Sequence, residues 1–179
     1  IPGIFYFSRQ NAFALVHTSV MQVAADARLA TYRANSDIIK GVRQLSVMDS
    51  RTSAACVAYS GAEWDLDGNP INGTTLPFNG GPPRHWGCRS VLTSITKTFK
   101  EMGIKGLPEL PDTGERASDL GPIDRKTTMD QFLKMHDEKW QNEMLGKGKA
   151  QLWRDGKITL NQLVDGQGRE LTLNELRRR

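Results

Sequence analysis

Residues 82–90 read Pro82-Pro83-Arg84-His85-Trp86-Gly87-Cys88-Arg89-Ser90, and upstream of them stands Asp49-Ser50-Arg51-Thr52-Ser53-Ala54-Ala55-Cys56. His85-x-x-Cys88 puts two metal-capable side chains at the end of a long loop, and Cys56, on a short preceding helix, is able to come back and meet them. Zinc takes Cys and His ligands in tetrahedral sets, so three protein ligands leave a fourth position for Asp49 or water. Such an ion would cross-link a loop of about 30 residues that has little core of its own. Two other states suit the same spacing. A Cys56–Cys88 disulfide would close the same loop and contribute ~3–4 kcal/mol in the loop-entropy account, and two reduced cysteines would pack as small hydrophobes. Spacing leaves the three open.

The loop itself, residues 60–87, contains six Gly and four Pro in 28 positions, with at most a hairpin near Asp67-Gly68. Loops of this length in a compact domain are functional or pinned. On its N-terminal side, residues 49–59 predict a short helix capped by Asp49 or Ser50. Residues 38–47 predict a strand in which Gly41 marks a bulge or an edge. On its C-terminal side, the β-branched run 89–99 predicts a second strand.

Further out, Phe13, Val16, Val20, Ala24 and Ala27 recur at helical spacing, so residues 11–33 predict a helix of more than six turns, long enough for a docking strut. Residues 102–126 carry Gly103, Gly106, Pro108, Pro111, Gly114, Gly121 and Pro122 and predict an extended arm lying on a surface. Thr128-Met129-Asp130-Gln131 is a capping box, opening a helix expected to run to Leu145-Gly146. A short helix is expected over 149–154. Thr159/Gln162 and Thr172/Glu175 predict two more capped turns. The fold class is therefore α+β: a long N-terminal helix, a small sheet with a Cys/His-pinned loop, and short C-terminal helices. The expected divisions are a core over 1–100, a linker or arm over 101–127, and a C-terminal helical segment over 128–179.

Of 179 residues, 38% are hydrophobic and 25% charged, and the formal charge is +4. Arg177, Arg178 and Arg179 supply three of those charges, which weakens a general nucleic-acid reading. A solvated tail is the expectation for the three arginines, with DNA contact as the alternative. No run approaches the ~18 apolar residues of a membrane span. No secretory leader is legible, and the Ile1 start is that expected of a processed product or a fragment. Two cysteines do not make a disulfide scaffold.

Catalytic patterns are scarce. A Cys56 nucleophile with a His85 base is conceivable, but neither His-Glu-x-x-His nor a Walker loop nor Gly-x-Gly-x-x-Gly after a strand is present. Asp65-Leu66-Asp67-Gly68-Asn69 lacks the Glu that a calcium loop needs at its twelfth position, occupied here by Leu76. His136, beside Asp137 and Glu138, reads as part of a solvated charged face.

The run Leu45-Ser-Val-Met-Asp49-Ser-Arg51-Thr52-Ser53-Ala-Ala-Cys56, then Gly61, then Pro82-Pro83-Arg84-His85-Trp86-Gly87-Cys88-Arg89, resembles the phage Mu F-like minor head protein (phage head morphogenesis) family. The downstream stretch Leu145-Gly146-Lys147 to Gly156-Lys157-Ile-Thr-Leu160 is similar to that family too, and the likeness covers roughly residues 19–176. Ser90 stands where many members have a further Cys. The resemblance implies a virion protein of a tailed double-stranded DNA phage, assembled in the host cytoplasm. It implies docking to capsid or portal subunits, a role in head assembly or in packaging or ejecting DNA, and no catalytic activity.

Overall fold

The computed structural model describes residues 2–178 apart from 110 and 112, with the backbone alone for residues 2–7. It is mixed α+β. A 33-residue helix, α1 (Pro2–Ala34), leads into β1 (Ile39–Leu45), α2 (Ala54–Tyr59), β2 (Glu63–Asp65) and β3 (Val91–Thr96). The three strands form one antiparallel sheet in the order β2-β1-β3.

Gly41 lies at a bulge, as its position in the strand suggests, but β1 is the central strand and not an edge. The glycine is needed for approach: a Cβ there would stand 2.4 Å from the Trp64 carbonyl oxygen on β2. The helix expected over 49–59 begins later than predicted. Ser53 is its cap, accepting the Cys56 N–H, because Asp49 and Ser50 belong to the turn before it.

The long loop has more core than its composition promises. Trp64 is fully buried, donates its indole N–H to the Leu76 carbonyl at 2.8 Å, and packs against Tyr59 and Phe78. Arg84 lays its guanidinium 3.4 Å over the Tyr59 ring and donates to Gln44 Oε1 at 2.7 Å. Asp65 caps the expected turn at Asp67-Gly68, accepting the N–H groups of Asp67 and Asn69.

Residues 102–126 run largely without regular structure, but their second half folds onto the molecule's own core. There β4 (Glu115–Arg116) pairs with β5 (Ile123–Asp124), and Met48 bridges to Ser118. The helix expected from Thr128 to Leu145 is two helices, α3 (Met129–Lys134) and α4 (Glu138–Leu145). Asp137 breaks it by capping α4 through the Trp140 N–H. Buried Gln141 then takes up the freed carbonyls of Leu133 and His136. His136 is not on a solvated face: it stacks on Trp140 with 3.7 Å between centroids, edge-on to Phe132. α5 (Lys147–Arg154), a 3-10 turn (Leu160–Leu163) and α6 (Leu173–Arg177) complete the chain, and the predicted capping boxes form at Thr128, Thr159 and Thr172. One hydrophobic cluster joins Leu29 of α1 to Val42, Tyr59, Leu92, Phe132, Leu163 and Leu176. No helix among the described residues is long and apolar enough to cross a membrane.

Candidate metal centre

Three side chains from two separate segments converge. Cys56, on the first turn of α2, and His85 and Cys88, at the entry to β3, place their ligand atoms within 4.8 Å of one another. The turn that presents the last two closes through a Cys88 N–H donated to the His85 carbonyl. Gly87 takes φ +72° there, a left-handed conformation that suits glycine and brings His85 and Cys88 to the same side.

Cys56 and Cys88 stand as free cysteines with their sulfurs 3.6 Å apart. Cys56 Sγ lies 3.3 Å from His85 Nε2. A tetrahedral zinc with ordinary bond lengths separates two sulfurs by roughly 3.8 Å, and a sulfur from an imidazole nitrogen by roughly 3.6 Å. The three donors are thus spaced to share one ion. His85 is also oriented for it. Its Nδ1–H donates to the Trp86 carbonyl at 2.9 Å, which leaves the Nε2 lone pair facing Cys56.

The two thiols share a proton unequally. The hydrogen bond with Cys56 and the backbone N–H groups of Arg84 and Ser90 pull the Cys88 pKa below the ordinary thiol range despite burial. Cys56 is pushed well above the ordinary thiol range by the same hydrogen bond and by burial. Of the two sulfurs, Cys88 is the one its surroundings favour as a thiolate ligand. The other must lose its proton when an ion enters.

Asp49, expected at the fourth position, is not part of the group. Arg89 grips both its oxygens at 2.6 Å, and Arg51 and Thr52 add further hydrogen bonds. Its carboxyl is held down to about 2, first by the hydrogen bonds from Arg89. A carboxylate so occupied is a brace between the α2 entry and β3, not a spare ligand. In its place a small pocket lined by Arg51, Ser53, Gly87, Arg89 and Ser90 opens onto Cys56 and His85, which leaves room for water.

Two residues that sequence reasoning passed over hold the turn from outside. His17 of α1 donates to the Cys88 carbonyl at 3.2 Å, and Thr18 Oγ1 accepts the Gly87 N–H at 3.0 Å. Only their adjacency on the helix could have signalled this, and nothing in the local sequence of α1 says what they face. Of the terminal arginines, Arg177 closes α6 and Arg178 is its C-cap, and both are exposed to solvent, as expected of them. Arg179 lies outside the described residues.

The solvent-facing side of α1 carries the predicted apolar stripe. Phe13, Val16 and Val20, with Val23, are all more than 60% exposed, while Ala25 and Leu29 on another face pack inward. No family model, curated protein or solved structure matches the chain.

Proposed function

We propose that this chain is a minor structural protein of a tailed-phage head in which one zinc ion, held by Cys56, His85 and Cys88, locks a long loop onto the fold. The observation that carries the reading is the convergence of three soft-to-borderline donors, 29 and 32 residues apart along the chain, onto one point. These donors belong to the two motif elements on which the resemblance to the head morphogenesis family rests. The ion would supply a cross-link between α2 and the turn before β3. Cys56, His85 and Cys88 would hold it, with water at the remaining position. The exposed apolar stripe on α1 supports docking to a capsid or portal subunit, because contiguous apolar surface of this kind marks interaction sites.

A Cys56/His85 hydrolase draws support from the 3.3 Å contact between them. Against it, Cys56 is 2% exposed and is the thiol whose pKa is pushed up, whereas a nucleophile needs access and thiolate character. The two readings separate in a Cys56→Ser variant. A structural pin predicts lost thermal stability and lost zinc; a nucleophile predicts an intact fold with no turnover. For the phage role, the protein is expected to co-sediment with purified heads, and its absence from them would overturn that assignment.

A further inference from the structure

On another part of the molecule, a cavity of about 230 Å3 opens beside the start of α3. Its described lining includes Arg43, Arg116, Arg125 and Lys126 together with the carboxylate of Glu63, which is paired with Arg43 at 2.5 Å. Arg116 is the unusual member. It is 8% exposed, and its guanidinium donates only to uncharged oxygens: the carbonyls of Ser46 and Thr127 and the hydroxyl of Ser60. Its Nε–H is buried with no hydrogen-bond partner, and among the described residues no carboxylate pairs with it.

A buried cation without a counter-charge is costly, and the cost falls when an anion occupies the adjoining space. We propose that this cavity binds a phosphate group. Arg116, whose guanidinium meets only uncharged oxygens, and Lys126 at the rim bring two positive charges to one space, which suits a doubly charged oxyanion better than a single carboxylate. The hydroxyls of Ser60 and Thr127 at the same wall add polar groups that phosphate oxygens can use. Burial, and then the positive charge of Arg43, depress the Arg116 pKa to about 10, which leaves it charged at neutral pH and short of compensation. The site is independent of the Cys/His centre and shares no lining residue with the pocket there. The phosphate could come from a small phosphorylated molecule or from a nucleic-acid backbone.

The test is titration of the whole chain with inorganic phosphate, read by calorimetry and thermal shift, against chloride at matched ionic strength. Saturable binding with a rise in Tm beyond the chloride control is expected. Lys126→Glu, at an exposed rim position, should weaken it by about tenfold. Arg116→Met should abolish it, and should that variant not fold, Lys126→Glu decides alone. A short DNA duplex that displaces phosphate identifies backbone phosphate as the source; one that leaves it bound identifies a small phosphorylated ligand. Phosphate no better than chloride, or equal affinity in Lys126→Glu, overturns the site.

Discussion

Asp49 was expected to bind metal and instead braces Arg89, and its chemistry gives a direct pH test. Its side chain is 11% exposed and its carboxyl is depressed from 3.8 to about 2 in the folded state. A depressed carboxyl contributes stability that is fully present above the unfolded pKa and is lost as pH falls through the folded one. Unfolding free energy should therefore decline between about pH 4 and pH 2 in urea titrations. Asp49→Asn should cost about 2 kcal/mol at pH 7 and flatten that decline, since it removes a charge-assisted pair from a largely buried setting. An unchanged pH profile in the variant would show that the brace is not formed. At this scale the sequence was informative about residue types and poor on partners. Cys56, His85 and Cys88 were legible because soft ligands at metal spacing are rare. The fate of Asp49 was not, because Arg89 lies 40 residues away and only the fold of the intervening loop brings it near.

Element by element, α1 combines two faces with different duties. Replacing Phe13, Val16 and Val20 together with Ser should change the denaturation midpoint little, because these side chains are exposed and leave no cavity. On the proposed head-protein role, the same variant should lose association with phage heads. Marked destabilisation would place the stripe in the fold and not in docking. On the sheet, Gly41→Ala drives a Cβ into the Trp64 backbone carbonyl and should destabilise by about 3 kcal/mol or more, measured by chemical unfolding. Helix starts were legible here because capping boxes are local chemistry. The break between α3 and α4 was not, since Asp137 as a cap competes with a continuous apolar pattern and wins only when Gln141 takes up the free carbonyls. Which face of α1 packs was also hidden: the stronger apolar stripe points to solvent, and the inner face uses Ala25, Leu29, His17 and Thr18, a weaker pattern.

For the molecule as a whole, the Gly- and Pro-rich segments are not slack. Residues 60–87 are fastened by Trp64, Arg84 and the turn at Gly87, and the second half of 102–126 is laid on the chain's own core through Arg116 and Ser118. Composition announced both as irregular but could not say where they lie, because their contacts are long-range. On the proposed zinc pin, an ion at Cys56, His85 and Cys88 would tie the first of these segments to α2, so stripping it should lower Tm and loosen that loop before the C-terminal helices. Protease cleavage confined at first to residues 60–87 after chelation would show this order. The most direct test of the zinc pin is metal content together with a thiol count on protein purified without chelator. One zinc per chain, with Cys56 and Cys88 unreactive until the ion is removed, is the predicted result. No zinc with two freely titrating thiols, or thiols released only by reductant, would contradict it.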